Sequence, residues 1–343
     1  MNNYYLPAEW QKQYAVQLTW PHASTDWHTS GLLSKVTDYF TKLSETILNY
    51  QNLIIVADNE NVKANISALL NKKYNFHYHI YVCPSNDTWA RDHGPITMLD
   101  KAGHKKIMDF NFNAWGSKFN FTKDNKITSN LHKQAAYKAH QYEKINYILE
   151  GGAIDSNGQG TVLTTASCVL NPNRNYTLSK QQQISELKRL LNIENLIILE
   201  NSFLYGDDTD GHIDNLARFI DPQTIVYSAC DNTNNPNYVY LEKMKNELIS
   251  LQNSSLKGIS LVPLFIPDPI YNIEHKLLPA SYANFLIINN AVLVPIYNDK
   301  KRDRQALDTL KKLLPQHDII GIDSELAINQ GGSLHCLTMQ VVA

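Results

Sequence analysis

Short hydrophobic runs alternate with amphipathic stretches along the whole chain. Runs rich in Val, Ile, Leu and Tyr predict half-buried or buried β-strands, and they lie at 52–58, 79–83, 160–165, 195–200, 224–229, 259–266, 284–288 and 291–297. Between the runs, apolar residues recur at three- and four-residue spacing, which predicts helices near 31–49, 61–72, 180–191, 238–252 and 302–314. The pattern is typical of a mixed α/β protein.

The order strand, strand, helix, strand recurs. Its clearest copy is "NFLIINNAVLVPIY", the helix at 302–314 and "DIIGID", and further copies begin near "EGGAID", "DGHIDNLARF" and "ARDHGPITMLD". Such a repeat predicts a ring or stack of equivalent units. The final strand, in "HCLTMQVVA", has no partner in its own copy of the repeat. The N-terminal segment "YAVQLTW", with the helix and strand that follow it, supplies the missing elements. We therefore expect a single catalytic domain, residues 1–343, of five ββαβ-like units, the fifth completed by both termini.

Composition narrows the function classes. The 343 residues include 31 Lys and Arg against 33 Asp and Glu, so the formal net charge of −2 argues against a nucleic-acid binder. We expect neither membrane association nor a leader peptide, and hence a cytoplasmic location, because no apolar run is long enough to span a bilayer. Cys83, Cys168, Cys230 and Cys336 form no CxxC pair, which disfavours a zinc site and a disulfide framework.

Four polar clusters beside predicted strands are candidates for chemistry: "NDTWARDHGP" (86–95), "LEGGAID" (149–155), "GDDTDGHIDN" (206–215) and "GGSLHC" (331–336). The third is not an EF-hand loop, because aligning Gly211 with the invariant loop glycine places Gly206 at the first ligand position and Ala217 where the bidentate glutamate belongs. A divalent metal site and a solvated acidic turn both stay open for it.

His212 and Asp214 are a candidate pair. If this segment is extended, the two side chains share one face and Ile213 lies on the other. Such a pair can orient a substrate while the imidazole transfers protons.

Cys336 has two interpretations. A free cysteine before an apolar run is typically a buried core residue. Gly331 and Gly332, however, permit a close approach of backbone to ligand beside the thiol, and a nucleophilic thiol needs a base. In a strand His335 points to the opposite face, so His212 is the better candidate for that base.

"NDTWARDHGP" contains Asp92 and Trp89 beside the turn signal Gly94-Pro95. In a purely structural interpretation, Asp92 is a surface charge and Trp89 packs in the core. In a functional interpretation, the carboxylate and the flat aromatic ring line a pocket for a planar cation. Together with Glu150 and Asp214, these groups suit a guanidinium, which carboxylates bind through bidentate hydrogen bonds.

The motifs resemble those of the agmatine deiminases and bacterial (Porphyromonas-type) peptidylarginine-deiminase-like proteins of the guanidine-modifying (pentein) superfamily. The matching blocks, in family order, are "LPAEW", "TWP", "NDTWARDHGP", "FNAWGSKF", "LEGGAID", "CVLNPNRN", "DDTDGHIDN" and "GGSLHC". The resemblance implies a five-bladed pseudosymmetric α/β propeller and a deiminase that needs no metal or organic cofactor.

The resemblance also implies a role for each residue. Cys336 is the expected nucleophile, His212 the general acid and base, Asp92 and Asp214 the guanidinium clamps, and Glu150 a support for the histidine or the guanidinium. For agmatine, which carries a second cation, the substrate-binding candidates are Trp89, Trp115, Asp207, Asp208, Gly331 and Gly332.

We expect agmatine deiminase activity in polyamine (putrescine) synthesis, and a homo-oligomer, a dimer. The runner-up is a peptidyl-arginine or other small-guanidine deiminase. A metal-dependent hydrolase that uses the aspartate cluster and a non-catalytic guanidine-binding protein are the alternatives of other classes.

Overall fold

A computed structural model describes residues 4–343. The strands are β1 (Tyr4–Tyr5), β2 (Gln13–Thr19), β3 (Asn52–Ala57), β4 (Tyr78–Val82), β5 (Ile96–Asp100), β6 (Lys105–Asn111), β7 (Gln141–Ile148), β8 (Asp155–Ser156), β9 (Thr161–Thr165), β10 (Asn195–Leu199), β11 (Ala217–Asp221), β12 (Thr224–Ala229), β13 (Ser260–Phe265), β14 (Leu286–Ile288), β15 (Ala291–Ile296), β16 (Asp318–Asp323) and β17 (Thr338–Val342).

The helices alternate with these strands. They are α1 (Asp26–Thr29), α2 (Leu33–Ile47), α3 (Glu60–Leu69), α4 (Ala90–His93), α5 (Ala114–Ser117), α6 (Ile127–Lys133), α7 (Ala166–Val169), α8 (Lys180–Leu191), α9 (Tyr238–Leu251) and α10 (Lys300–Leu313). The predicted α/β class is confirmed, and the five predicted helices correspond to α2, α3, α8, α9 and α10. Within residues 4–343 no helix combines the length and the apolar character needed to cross a membrane.

Local sequence signals explain several of the helix boundaries. Ser179 and Gln182 form a reciprocal capping box that starts α8, and Asn192 ends that helix in the left-handed conformation. The side chain of Asn59 accepts hydrogen bonds from two backbone amides at the start of α3. These caps satisfy backbone amides at the starts of α3 and α8 that have no partner within the helix.

The chain forms two compact units. The first consists of Gln11–Gly151, Ile288–Asn290 and Cys336–Ala343, and the second of the segment ending at Trp10 together with Gly152–Ile287 and Ala291–His335. One boundary between them falls after Gly151 and another falls between His335 and Cys336, inside two of the polar clusters that the sequence singles out.

The first unit contains a four-stranded sheet of order β17-β2-β3-β4. The last strand of the chain, β17, pairs antiparallel with β2, and β2 pairs parallel with β3 after the helix α2. Strands from the beginning and the end of the described residues therefore lie in one sheet. The same unit holds β5, β6 and β7, where β5 and β6 are antiparallel and β6 and β7 are parallel. Its core includes Ile54, Val56, Ile107 and Leu131.

The second unit repeats this strand pattern. Its sheets have the orders β10-β9-β8, β11-β12-β13 and β14-β15-β16. In each sheet, the last two strands along the chain are parallel, and a long helix lies between them in the sequence, namely α8, α9 or α10. The cores of this unit pack around residues such as Phe219, Ile225, Tyr282 and Phe285. The order strand, strand, helix, strand thus occurs in these sheets. A single domain of five such units, and their closure into a ring, stay predictions.

Three local expectations are wrong. Cys336 lies in a turn, since β17 begins only at Thr338. His212 and Asp214 do not alternate along a strand, because residues Ile213–Asn215 form a 3₁₀ turn and β11 begins at Ala217. Residues Ala90–His93 form the short helix α4 rather than a loop. At His212 the backbone amide donates to the side chain of Thr209, a local contact that accompanies the turn in place of the predicted strand.

Candidate active site

Cys336 is buried in the first unit, with 3% of its surface exposed. Its carbonyl oxygen accepts a 3.1 Å hydrogen bond from the backbone amide of Arg91 in α4. The guanidinium of Arg91 in turn donates to the side-chain oxygen of Gln340 in β17. The turn that carries the thiol is therefore fixed to the short helix that carries Asp92.

Asp92 is buried in α4 and lies beside Trp115. The indole Nε1 of Trp115 donates a 3.0 Å hydrogen bond to Oδ2 of Asp92. Trp115 adopts a left-handed backbone conformation, with φ of 55°, in a turn where Asn113 binds the amide of Gly116. This turn presents the indole N–H to the carboxylate, and a hydrogen bond to a charged acceptor is stronger than a neutral one.

Trp89 is also buried in the first unit and packs edge-on against Trp115, with ring centroids 6.5 Å apart. Its Nε1 donates to Oδ2 of Asp87 at 2.9 Å. Burial raises the pKa of Asp87 to about 7, although hydrogen bonds from Thr88 and Trp89 act in the opposite direction. The two tryptophans thus form a rigid aromatic wall held by two carboxylates.

Glu150 is buried immediately before Gly151, where the backbone passes close to α4. A Cβ atom on Gly151 would lie 2.2 Å from the carbonyl oxygen of Arg91 and 2.9 Å from Cε of Met339. Only glycine fits there, so the Gly-Gly signal reflects a close approach of two backbones. The first unit therefore brings the motifs of Cys336, Asp92, Trp115, Trp89 and Glu150 together.

In the second unit, His212 and Asp214 are both buried and flank Ile213 in a 3₁₀ turn. The backbone amide of His212 donates to Oγ1 of Thr209 at 3.1 Å. Oδ2 of Asp214 lies 2.7 Å from Nδ1 of His335. The hydrogen-bonding partner of Asp214 is thus His335, a residue that strand alternation excluded from the site.

The ionisation of Asp214 is controlled by its neighbours. Burial by itself raises the pKa of this carboxyl, but the hydrogen bond and charge of His335, with smaller effects of His212 and Arg218, outweigh burial and hold the pKa below its ordinary value. Asp214 is therefore ionised at neutral pH and suited to bind a cation.

The acidic loop at 207–211 is organised by its own backbone. Asp207 accepts hydrogen bonds from the amides of Thr209, at 3.2 Å, and Gly211, at 2.7 Å. Buried Arg174 binds Asp210 at 2.7 Å and the carbonyl of Thr209 at 2.9 Å. Arg174 lies in the "NPNRN" block, and its role as a brace for this loop is not evident from spacing.

Asp208 belongs to the same loop and lies beside Gly331. Gly331 has φ of 81° at the end of the turn Ala327–Gln330, and a Cβ atom there would be 3.0 Å from Oδ1 of Asp208. The second unit therefore brings together two predicted substrate-binding residues, Asp208 and Gly331, and Gly332 follows in the same buried segment.

Chemically, each unit offers what a guanidinium requires. The first has a thiol and a carboxylate on connected backbone segments with an aromatic wall, and the second has an imidazole and an ionised carboxylate on one turn. Sequence reasoning missed Glu9, which contacts His335, and Arg218, which contacts Glu9, in the second unit. Glu9 lies within the "LPAEW" block, and that block was the one available signal.

Comparisons with known proteins agree with this chemistry. A cysteine-to-serine variant of the agmatine deiminase of C. jejuni, solved with substrate bound, aligns with a TM-score of 0.90 and 38% identity, covering 99% of this chain and 96% of that one. The agmatine deiminase of Enterococcus faecalis aligns with a TM-score of 0.85 and 26% identity, covering 99% and 96%. A dimethylarginine dimethylaminohydrolase, 10% identical with a TM-score of 0.52, shares the fold alone.

The fold is thus the α/β fold of the guanidine-modifying (pentein) superfamily. A Vibrio parahaemolyticus protein provisionally named an agmatine deiminase is 32% identical over 360 residues, which cover 100% of this chain and 98% of the relative. The model of the Porphyromonas-type peptidyl-arginine deiminase family matches residues 5–341, and the chain belongs to that family.

Proposed function

We propose that this protein is an agmatine deiminase, which hydrolyses agmatine to N-carbamoylputrescine and ammonia in the synthesis of putrescine. Full-length similarity to the agmatine deiminases of C. jejuni and E. faecalis supports the proposal. The observation that carries it is the arrangement in the first unit, where the turn holding Cys336 is bonded to the helix that holds a buried, oriented Asp92.

The reaction has two covalent steps. The thiolate of Cys336 attacks the guanidinium carbon and forms a C–S bond; the C–N bond to one terminal nitrogen then breaks, and His212 protonates the departing ammonia. The product of this step is a covalent thiouronium. His212 next removes a proton from water, the resulting hydroxide attacks the same carbon, and the C–S bond breaks to release the ureido product and the thiolate.

The carboxylates position the reacting group. Asp92 and Asp214 each accept N–H donors of the guanidinium, and Glu150 supports the histidine or the guanidinium from its buried position. A fixed orientation matters because attack requires the sulfur above the plane of the guanidinium carbon. The hydrogen bond from Trp115 and the hydrogen bond from His335 hold Asp92 and Asp214, respectively, in one rotamer.

The distal ammonium of agmatine needs an acidic or aromatic environment. The carboxylate of Asp207 accepts hydrogen bonds from backbone amides of its own loop. The carboxylate of Asp208 lies beside Gly331, which has no side chain to cover it. We therefore assign the distal ammonium to Asp208, with Trp115 as the aromatic contact and Trp89 packed behind it. Gly332 continues the side-chain-free backbone after Gly331.

The decisive experiment measures ammonia and ureido product from agmatine, free arginine and a peptidyl arginine. We expect turnover of agmatine by the wild type and a loss of at least about 10³-fold in kcat for Cys336→Ser. Cys230→Ser, which changes another buried cysteine, is the matched control and keeps activity within about threefold.

Each other outcome rejects one part of the proposal. Normal turnover by Cys336→Ser would rule out the covalent mechanism, and loss of activity with a chelator would favour a metal-dependent hydrolase. Turnover of peptidyl arginine without turnover of agmatine would retain the chemistry and replace the substrate. Binding of agmatine without turnover would indicate a guanidine-binding protein. A cytoplasmic location and a homodimer also belong to the proposal, and fractionation and sedimentation test them.

A further inference from the structure

A continuous chain of charged side chains is buried in the second unit. It runs from Asp214 to His335, from His335 to Glu9 at 2.7 Å, from Glu9 to Arg218 at 2.8 Å and from Arg218 to Asp155. All five side chains are at least nine-tenths buried. In the proposed reaction only Asp214 contacts the substrate, and His335 enters only as the hydrogen-bond partner of Asp214.

Both ring nitrogens of His335 face carboxylate oxygens. Glu9 accepts from Arg218 through Oε2 and from the amide of Ile287 through Oε1 at 2.7 Å, so both of its oxygens act as acceptors, as expected of a carboxylate paired with a guanidinium. Nε2 of His335 must therefore donate to Glu9. Nδ1 of His335 lies 2.7 Å from a carboxylate oxygen of Asp214, and an N–H at that position donates to this oxygen as well. A histidine that donates through both ring nitrogens is an imidazolium.

Charge balance leads to the same state. The cluster contains three carboxylates, from Asp214, Glu9 and Asp155, and one guanidinium, from Arg218. With a neutral His335 the buried cluster would carry two uncompensated negative charges, which is costly away from water. With an imidazolium it carries one, and the arrival of a guanidinium substrate brings the total to zero.

The position of His335 is fixed by the fold. Its backbone amide donates to Oδ1 of Asn284 at 2.9 Å and to the carbonyl of the same residue at 3.2 Å. Glu9 is itself held by the strand residue Ile287 and by Arg218, whose guanidinium also donates to the carbonyl of Phe285 at 3.1 Å. The imidazole therefore connects Asp214 to a rigid part of the core.

We propose that His335 is a positioning residue for the deiminase reaction, which donates from both ring nitrogens to Asp214 and Glu9 and so keeps Asp214 ionised and oriented toward the guanidinium. This inference rests on the proposed role of Asp214 as a guanidinium clamp. The charged groups that face the imidazole are Asp214 and Glu9, with Arg218 beyond Glu9 and His212 near Asp214.

Two near-isosteric substitutions of His335 distinguish its role in orienting Asp214 from its contribution to core packing. The amide nitrogen of His335→Asn stands at the place of Nδ1 and retains the donor to Asp214, whereas that of His335→Gln stands at the place of Nε2 and retains the donor to Glu9. We expect kcat/KM for agmatine to fall about 10-fold in the first variant and about 100-fold or more in the second. The exposed His28→Asn is the control and retains full activity.

The pH profile provides a readout that loss of packing does not change. Without the imidazolium, burial raises the pKa of Asp214, so the acidic limb of kcat/KM moves to higher pH in His335→Gln, by about one pH unit or more. Equal losses in the two variants, with an acidic limb at the wild-type pH, would overturn the proposal.

A measurement without substrate keeps this inference separate from the proposed function. In ¹⁵N-histidine-labelled wild type, with the resonances of His335 assigned by their absence in His335→Asn, both ring nitrogens should carry protons at pH 7.5. A neutral ring with one protonated nitrogen overturns the proposal whether or not agmatine is turned over. If the wild type does not hydrolyse agmatine but His335 is an imidazolium, the proposed function fails and the charge state of His335 stands.

Discussion

The indole N–H of Trp115 donates a 3.0 Å hydrogen bond to the carboxylate of Asp92, and both side chains are buried. Trp115 also packs edge-on against Phe112 and Phe119, with centroids 5.4 and 5.7 Å away. The aromatic packing fixes the ring and the ring fixes the carboxylate. A tryptophan that resembles a substrate contact in sequence thus has a second role, which is to orient a guanidinium clamp.

Substitution Trp115→Phe tests this role. The phenyl ring keeps most of the packing against Phe112 and Phe119 but removes the donor to Asp92. Because a hydrogen bond to a charged group contributes about 1.5–3 kcal/mol, we expect kcat/KM for agmatine to fall about 10- to 100-fold. The melting temperature should change little. Phe119→Leu, at a half-exposed ring, is the control, and a similar loss in that variant would assign the effect to packing.

Gly151→Ala should destabilise the protein. Its Cβ would lie 2.2 Å from the carbonyl oxygen of Arg91, so the backbone of α4 must move. We expect a loss of about 2–4 kcal/mol in the free energy of unfolding, measured by urea denaturation. Gly103→Ala is the matched control, because Gly103 has φ of 83° and no neighbouring atom within 4 Å; it should cost only about 1 kcal/mol. Equal effects would contradict the steric account.

Arg218→Met should be strongly destabilising. The substitution leaves the buried carboxylates of Glu9 and Asp155 without their guanidinium partner, and breaking a buried ion pair on one side costs about 3–5 kcal/mol. Arg304→Met, which removes an exposed arginine paired with Asp308, should cost under about 1 kcal/mol. Urea denaturation of both variants at pH 7.5 measures the difference, and a tolerant Arg218 would show that the charged cluster is not essential to the fold.

His93 should make the protein sensitive to acid. Burial lowers the pKa of His93 from 6.5 to about 3. Below pH 6.5 the unfolded chain binds a proton at this residue and the folded protein does not, so stability falls as the pH decreases toward 3. Between pH 7.5 and 4.5 this residue should cost roughly 3 kcal/mol.

The comparison with His93→Phe isolates that contribution. The difference in free energy of unfolding between wild type and variant should shift in favour of the variant as the pH falls, by about 1.4 kcal/mol per pH unit below 6.5. A difference that is constant between pH 7.5 and 4.5 would show that His93 titrates normally in the folded protein.

The strands and long helices could be predicted because their signals are local. The continuous apolar run of β15 and the apolar spacing of α8 depend on neighbours within a few positions, and the observed bounds lie within about two residues of the predicted ones. The same reasoning failed at His212, Asp214 and Cys336. There the backbone leaves the strand for a turn that is stabilised by contacts with residues far away in sequence.

The sequence by itself determined the α/β class, the repeated strand-strand-helix-strand unit and the motifs that carry the chemistry, because periodicity and short motifs are properties of neighbouring residues. Only the tertiary structure decided which carboxylates are oriented by hydrogen bonds and which side chains donate those bonds. The pairs Asp92 with Trp115 and Asp214 with His335 are 23 and 121 residues apart in the chain, and no local rule brings them together. Their ionisation and orientation depend on burial and on charges such as Arg218, which exist only once the core has formed.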